Sequence, residues 1–208
     1  MVNCKLQNPH MLEAYLGREV APLGYAWMFP KDLEEVNVGI GTRGVPARYY
    51  LDRFVKSHPE IFEGANVVEI QAAPVPVGGE VREVVGDGIL LCGDAAGQVI
   101  PLTGGGIHSS IVAGKIAGEV AGEAIEEGVD LDEYPKRYSS WSKRISNSLK
   151  ALRLIERLSD SELNQLAGVL TGEDIVDLAN GMNLRRVGKK LLRHPRFAVR
   201  LARSLLKG

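Results

Sequence analysis

The sequence predicts a mixed α/β (α+β) chain, in which a β-rich first half passes into a helical second half at about residue 105. Three observations predict this class: two alternating apolar segments before residue 42, a short apolar run that ends in a glycine-rich turn, and helical periodicity beyond it. The 208 residues are 45% hydrophobic and 25% charged, as in ordinary globular proteins. The net charge of −1 indicates no bulk attraction for nucleic acid.

The β-rich half is predicted from period-two alternation of apolar residues. Residues 21–30 and residues 35–41 both alternate, which predicts two strands. Residues 31–34 between them are typical of a hairpin loop. Residues 48–57 then show helical spacing, and the predicted helix stops at a following proline.

The middle of the chain is predicted to be irregular, and the part from about residue 105 onward is predicted to be helical. Residues 67–77 are β-like, but their two prolines favour an edge or an irregular crossing over a central strand. Residues 89–92 are all apolar, which predicts a strand buried on both faces. A long helix is predicted from about residue 105 to residue 127, and further helices follow residue 131. Breaks between those helices are expected near Ser159-Asp160, Thr171-Gly172 and Asn180-Gly181.

The glycine-rich turn combines features that suit an electron-rich ligand. The predicted strand ends in Gly93-Asp94, and Pro101 and three glycines precede the long helix. The first turn of a helix leaves backbone N–H groups unpaired, its dipole adds about half a positive charge, and glycines allow close approach. The alternative interpretation is a purely structural turn. The candidate binding residues are Gly93, Asp94, Ala95, Ala96, Pro101, Gly104, Gly105, Gly106 and Ile107.

Three aromatic residues, Tyr25, Trp27 and Phe29, recur at every second position and therefore share one face of the predicted strand. Pro30 follows them, and Gly39 lies on the partner strand. Spacing alone favours an aromatic cluster, either in the core or across strands, and the alternative is an apolar wall for a large hydrophobic ligand. On that alternative, these five residues are candidate substrate-binding residues.

Both motifs resemble those of a known family. Residues 93–96, Pro101 and the glycine-rich helix start resemble the second FAD motif of the glutathione reductase and p-hydroxybenzoate hydroxylase type of flavoprotein. Residues 24–30, followed by Val38-Gly39, are similar to the motif that distinguishes the geranylgeranyl reductase family. The resemblance is clear to about residue 127. It implies the C-terminal part of that FAD-binding fold, with an antiparallel substrate-domain sheet and a helical C-terminal region.

The resemblance also implies an activity. Members of the family are FAD-dependent oxidoreductases that saturate C=C bonds of geranylgeranyl chains in lipid biosynthesis. Asp94 would hold the ribityl chain of FAD, the backbone of residues 104–107 would face the flavin ring, and an isoprenoid or ether-lipid substrate would contact the aromatic residues. The sequence identifies no catalytic residue and no electron donor, and a structural role for His108 is favoured over proton donation. The alternatives are an FAD-dependent aromatic monooxygenase and a non-catalytic lipid-binding fragment.

Flavoproteins of this type open with a GxGxxG turn that binds the ADP half of FAD. Residues 39–44 match that pattern, but Pro46 disfavours the α conformation at Val45, so the following helix must begin beyond Gly44. We therefore interpret these glycines as turn residues. The sequence predicts a truncated form that lacks the ADP-binding motif and binds FAD poorly by itself.

The C-terminal sequence is basic, because nine lysines and arginines but no acidic residue follow Asp177. Apolar residues at helical spacing accompany these cations and continue through Phe197, Leu201 and Leu205. Such a helix either lies on an anionic membrane or docks on the protein with a solvated basic face. Nothing beyond charge supports nucleic-acid binding.

The remaining features bound location and organisation. The sequence shows no signal peptide and no apolar membrane span, so we expect a cytoplasmic protein, at most peripheral to the membrane. Cys4 and Cys92 form no CxxC pair, so we expect no metal site, and two reduced thiols are favoured over the alternative of a disulfide between them. Three parts are predicted: a β-rich substrate-binding part (1–80), the second half of an FAD-binding domain (81–128) and a helical C-terminal region (129–208).

Overall fold

The computed structural model describes residues 1–194, and the chain divides into two compact units. The first unit comprises residues 1–73 and 158–164, and the second comprises residues 74–157 and the described residues from 165 onward. These units are defined by packing, and the three functional parts proposed from the sequence stay a prediction. Several residues of the predicted basic tail lie outside the described residues: Arg196, Phe197, Arg200, Leu201, Arg203, Leu205 and Lys207.

The described residues form five short strands and seven helices. The strands are β1 (Glu13–Leu16), β2 (Tyr25–Pro30), β3 (Val36–Gly41), β4 (Val85–Gly86) and β5 (Ile89–Leu90). The helices are α1 (Ala47–Lys56), α2 (Pro59–Phe62), α3 (Ile107–Glu127), α4 (Glu133–Ile155), α5 (Asp160–Val169), α6 (Gly172–Ala179) and α7 (Leu184–Leu192). The helices of the second half and the breaks between them confirm the prediction from periodicity.

The first unit contains an antiparallel sheet in which β2 lies between β1 and β3. The β2–β3 hairpin begins with the pair Pro30–Val36, so residues 31–35 form the loop, one residue longer than the predicted loop of residues 31–34. β1 is the strand of this sheet that the sequence does not predict, because its four residues are too few to show a clear alternation. α1 begins at Ala47, after Pro46, which leaves Gly44 outside the helix and excludes a Rossmann-type turn at residues 39–44.

One face of this sheet covers the core of the first unit. The alternate β2 residues Ala26 and Met28 point into it and are almost fully buried. Tyr15 on β1 packs edge-on against Phe54 of α1, with ring centroids 5.0 Å apart. Burial, together with a hydrogen bond to the Glu13 carboxylate, raises the pKa of Tyr15 to about 12, so its hydroxyl stays neutral at physiological pH. The buried members of this core are Cys4, Ala26, Met28, Val36, Phe54, Ile61 and Phe62.

The second unit is built around the packing of α3 against α4. Small residues of α3 allow the two helices to approach closely, and two tyrosines of α4 fill the space beside them. Burial raises the pKa values of both tyrosines, Tyr134 and Tyr138, so they act as neutral hydrogen-bonding groups. Within residues 1–194, no helix is both long enough and apolar enough to span a bilayer. The buried members of this core are Ile100, Ala113, Ala117, Val120, Tyr134, Tyr138 and Ile145.

The predicted strand at residues 89–92 is wrong in its burial and its length. Within this run only Ile89 and Leu90 belong to a paired strand, in a hairpin with β4, and Ile89 is 59% exposed. A strand buried on both faces needs sheet neighbours and covering layers, and β4 is the strand that pairs with β5 among the described residues. Residues 67–77 form no regular strand, which agrees with the irregular crossing expected from their prolines.

A cluster of opposite charges joins α6 and α7. The Asp174 carboxylate, 5% exposed, accepts hydrogen bonds from Thr171 and lies 2.5 Å from the Lys190 ammonium. The Arg186 guanidinium lies 2.6 Å from Asp177 and 2.5 Å from Glu173. The hydrogen bond from Lys190, followed by those from Thr171, holds the pKa of Asp174 well below its usual range. The cluster fixes the basic helix α7 against α6.

We expect Asp174→Asn to destabilise the protein at neutral pH and to remove part of its acid sensitivity. Because the pKa of Asp174 is lowered on folding, its contribution to stability is complete above the unfolded-state pKa of about 4 and is lost as the pH falls below it. Urea unfolding of wild type and variant between about pH 7 and about pH 3 measures this: the difference in unfolding free energy should narrow below about pH 4. Asp87→Asn, on an exposed turn, is the control. If the difference in unfolding free energy between wild type and Asp174→Asn stays constant with pH, the pKa of Asp174 is not lowered on folding.

Candidate flavin turn and aromatic wall

The turn after β5 depends on two glycines in the left-handed region. Gly93 has φ +64° and Gly97 has φ +66°, and the residues between them form a single 3₁₀ turn. A Cβ on Gly97 would overlap the carbonyl oxygen of Gly79, and one on Gly93 would lie 3.0 Å from the Ser110 hydroxyl oxygen. No L side chain fits Gly97 without moving backbone. Of the predicted site residues in this turn, Asp94 and Ala95 are exposed, whereas Ala96 is buried.

Gln98, which the sequence analysis did not single out, connects this turn to the helices α3 and α4. Its side chain is fully buried; the amide oxygen accepts from the Gly93 backbone N–H at 2.8 Å, and the amide nitrogen donates to the Tyr134 hydroxyl at 2.8 Å. Its backbone carbonyl accepts from the Ser109 hydroxyl at 2.5 Å. One residue thus holds the turn, the first turn of α3 and the start of α4 together. The signal in the sequence was a single polar residue in an otherwise apolar stretch.

The structure brings Asp94 next to the start of α3. Gly106 is the N-cap, and a Cβ there would lie 3.3 Å from both Asp94 Oδ1 and Val99 Cγ2. No side chain of the described residues caps the helix, and Ile107, its first residue, is 81% exposed. Among residues 1–194, the Asp94 carboxylate receives no hydrogen bond from a donor. An exposed acceptor therefore lies beside open N–H groups at the positive end of a helix dipole.

The glycine loop before α3 is closed by backbone hydrogen bonds. Ile100 and Gly105 bridge through the Ile100 N–H and the Gly105 carbonyl at 3.0 Å, and the Gly104 N–H donates to the Ile100 carbonyl at 2.9 Å. Pro101 is buried inside this loop. The Leu102 N–H donates to Ser148 of α4 at 3.1 Å, so the loop is anchored to the helical region. The exposed Gly105 leaves the outer side of the loop unobstructed.

His108 lies on the first turn of α3 and contacts an aromatic ring. Its ring centroid is 4.8 Å from that of Trp141 in an edge-on arrangement, and the Arg144 guanidinium covers Trp141 at 3.9 Å. The contact supports the structural role expected for this histidine. Within the described residues, no group of three potential metal ligands is found.

The aromatic residues of β2 form a row on the sheet face opposite the core of the first unit. Tyr25 and Trp27 have ring centroids 5.6 Å apart, and Trp27 and Phe29 have ring centroids 6.0 Å apart with nearly parallel planes. All three are half-buried, as is Pro30, so the rings form a contacting row that lies outside the buried core of the first unit. Burial raises the pKa of Tyr25, which keeps its hydroxyl neutral.

Trp27 lies flat across β3, and a glycine makes this possible. Trp27 pairs with Gly39, and a Cβ on Gly39 would overlap three atoms of the indole ring. The indole Nε1–H donates to Asn37 Oδ1 at 2.8 Å, which fixes the ring direction. Asn37 is a second residue that the sequence analysis missed, although its position two residues before Gly39 places it on the same face. The result is a flat apolar wall in which the indole N–H is satisfied.

The two predicted sites lie in different compact units: the aromatic wall (Tyr25, Trp27, Phe29, Pro30 and Gly39) in the first and the flavin turn (residues 93–107) in the second. Each set is brought together by its own unit. The flavin turn fits a ligand that combines hydroxyl groups with an electron-rich ring, because Asp94 can accept from a hydroxyl and the α3 start can donate. The aromatic wall fits a flat or flexible hydrocarbon.

Comparisons with known proteins find relatives along almost the whole chain. Residues 1–75 match the family model described as the geranylgeranyl reductase catalytic domain. The chain is 42% identical over 206 residues to digeranylgeranylglycerophospholipid reductase 2 of Methanopyrus kandleri, covering 93% of this chain and 52% of that protein. It is 36% identical over 204 residues to digeranylgeranylglycerophospholipid reductase of Methanocaldococcus jannaschii, covering 92% of this chain and 50% of that protein.

A solved structure shares the fold. It is a geranylgeranyl bacteriochlorophyll reductase-like protein from Thermoplasma acidophilum, with a TM-score of 0.78, 27% sequence identity, and coverage of 98% of this chain and 52% of that one. The chain therefore spans about half the length of the relatives it matches. The likeness confirms the predicted α/β (α+β) class. By its sequence and its fold, this chain belongs to the geranylgeranyl reductase family.

Proposed function

We propose that this chain contributes the substrate wall and half of the cofactor site of an FAD-dependent reductase that saturates C=C bonds of geranylgeranyl chains in lipid biosynthesis. The observation that carries the proposal is the Trp27 ring laid across Gly39, within the residues that match the reductase catalytic domain. The related archaeal proteins named as digeranylgeranylglycerophospholipid reductases support a geranylgeranyl phospholipid as the substrate class.

The aromatic wall binds hydrocarbon and excludes water in this proposal. Its exposed ring faces offer a large apolar area, and the indole N–H is already bonded to Asn37, so the indole presents no unsatisfied donor to a polyene chain. The neutral Tyr25 hydroxyl adds no charge to the apolar surface. A dry, apolar surface favours an isoprenoid over a polar aromatic acid, which is why the reductase is preferred to a monooxygenase of the same cofactor fold.

The flavin turn would hold the ribityl and ring portion of FAD. Asp94 would accept a hydrogen bond from a ribityl hydroxyl, and the backbone of residues 104–107 would face the ring. The Gly106 and Ile107 N–H groups would donate to its electron-rich edge, since those of Gly104 and Gly105 are bonded to Ile100 and Thr103. Bound reduced FAD supplies the hydride for double-bond reduction. Gly93, Ala95, Ala96 and Pro101 shape this turn rather than contribute polar groups. The proposal also includes peripheral contact with a membrane through the basic C-terminal helix.

FAD titration into the 208-residue chain tests the cofactor part of the proposal. We expect weak, saturable binding, seen as a change in flavin fluorescence and a rise in melting temperature. Asp94→Ala should weaken it about tenfold or more, because a charge-assisted hydrogen bond contributes roughly 1.5–3 kcal/mol. Asp87→Ala, an exposed aspartate outside the turn, should leave binding unchanged.

The outcomes separate the alternatives. A folded chain whose fluorescence and melting temperature do not respond to FAD would contradict the flavin turn in this chain. Vesicle binding without any flavin binding would favour a non-catalytic lipid-binding protein. With flavin bound and reduced, saturated geranylgeranyl lipid detected by mass spectrometry supports the reductase, whereas oxygen consumption coupled to hydroxylation supports a monooxygenase.

A further inference from the structure

The cations of α7 and its C-cap residue, Arg193, fall into two groups that the structure separates. Arg186 and Lys190 are paired with the carboxylates of α6, at 2.6 Å from Asp177 and 2.5 Å from Asp174 respectively. A second group, which we call the outer stripe, consists of Arg185, Lys189 and Arg193, and it forms no ion pair with any residue of 1–194. These three are spaced at i, i+4 and i+8 and are exposed, so they share one face of the helix.

The helix is docked through its opposite side. Val187 is 3% exposed, and the paired cations tie α7 to α6. The apolar face of α7 is therefore occupied by the protein, and insertion of that face into a bilayer would require undocking. On the outer side, Leu192 is 71% exposed and lies next to Arg193 and one turn from Lys189. A large apolar side chain among unpaired cations is the composition expected of a surface that touches lipid headgroups.

The charge of the chain is strongly uneven. Of the 25 basic residues, nine follow Asp177, whereas all 26 acidic residues lie at or before it. The first 177 residues therefore hold sixteen basic and twenty-six acidic residues, a net charge of −10. An anionic surface repels that part of the chain and attracts the C-terminal part, so the approach is oriented by charge.

We propose that the outer stripe, with Leu192, is a docking surface for an anionic phospholipid bilayer, and that α7 stays folded against α6 while it binds. The inference rests on the proposed function, because a reductase of phospholipid chains must meet its substrate at a membrane. Two observations favour a bilayer over nucleic acid as the partner. Leu192 is exposed, and α7, whose nine residues are LRRVGKKLL, contains no aromatic residue on which a base could stack. Binding through exposed cations falls with salt, since the Debye length shortens.

The test is co-sedimentation of the full 208-residue chain with vesicles of phosphatidylglycerol and phosphatidylcholine, with phosphatidylcholine vesicles for comparison. The combined variant Arg185→Gln, Lys189→Gln and Arg193→Gln should weaken binding to the anionic vesicles on the order of 100-fold, at about fivefold for each cation. Leu192→Gln should weaken it several-fold. The control variant Lys5→Gln, Arg18→Gln and Lys56→Gln removes the same charge from exposed positions of the first unit and should leave binding within about twofold of wild type.

Circular dichroism and melting temperature establish that each variant is folded before binding is measured. If the two triple variants lose the same amount of affinity for anionic vesicles, the proposal is overturned, because net charge alone would then explain the binding. It would also be overturned if the outer-stripe variant bound like wild type, or if the chain bound a single-stranded oligonucleotide but not the vesicles. The assay contains no flavin, so vesicle binding can fail while FAD binding succeeds, and the reverse.

Discussion

Gln98→Leu is expected to lower the free energy of unfolding by roughly 2–4 kcal/mol, the largest effect of a single uncharged substitution that we predict. The change keeps most of the volume and removes both polar atoms of the side chain. The buried Gly93 N–H loses its acceptor, and the Tyr134 hydroxyl loses the amide that donates to it. A buried donor without a partner costs about 1–3 kcal/mol, and the second lost hydrogen bond about 1 kcal/mol more.

Urea denaturation followed by circular dichroism measures this loss. Gln71→Leu is the matched control, since Gln71 is exposed in an irregular segment. The same substitution there should change the free energy of unfolding by no more than about 0.5 kcal/mol. Tyr134→Phe should give an intermediate loss, because the Tyr134 hydroxyl also donates to the Leu91 carbonyl at 3.1 Å. Amide hydrogen exchange at Gly93 should accelerate in Gln98→Leu more than elsewhere in the second unit. Equal stabilities of Gln98→Leu and Gln71→Leu would contradict the connecting role of Gln98.

Gly39→Ala is expected to displace the Trp27 indole from the aromatic wall. The added methyl group would overlap three ring atoms, so the ring must rotate away and give up its hydrogen bond to Asn37. The free energy of unfolding should fall by roughly 1–3 kcal/mol, because one hydrogen bond and one aromatic contact are lost. For the proposed reductase, the apparent affinity for a geranylgeranyl substrate should fall because the wall is no longer flat.

Gly41→Ala provides a matched control for this variant. Gly41 lies on the same strand and the same face, and no atom of residues 1–194 would lie within 4 Å of an added Cβ, so the change should be close to neutral. Tryptophan emission, measured in a Trp141→Phe background, should shift to longer wavelength in Gly39→Ala and remain unchanged in Gly41→Ala. If both variants leave the Trp27 emission unchanged, the indole does not lie across Gly39.

The sequence accounts well for the features that depend on neighbouring residues. The alternation of residues 25–30 assigned one face to Tyr25, Trp27 and Phe29, and the structure has them in a row. Pro46 limited where α1 can begin, and the helix starts at the next residue. The breaks predicted between the C-terminal helices are present because glycine and capping residues act within one turn. Thr171, for example, caps α6 with a complete capping box.

The same reasoning failed where burial depends on distant neighbours. An all-apolar run at residues 89–92 predicted a strand covered on both sides, yet Ile89 is 59% exposed, because the described residues supply β4 alone as its strand partner. Spacing alone favours an aromatic cluster in the core or across strands, and the three rings do contact one another but are only half-buried. The spacing indicates that the three rings share one face of the sheet. It does not indicate which face covers the core, and the structure has Ala26 and Met28 on the core side.

The sequence by itself determined the class of fold, the order of its helices, the aromatic face of β2 and the glycine positions of the flavin turn. Each of these follows from the geometry of a few consecutive residues. Only the tertiary structure decided that Gln98 bonds to Tyr134, 36 positions away, and that Arg186 and Lys190 are paired while Arg185 and Lys189 are not. Such partners depend on the path of the whole chain, which sets which polar groups become buried together and which charges remain in solvent.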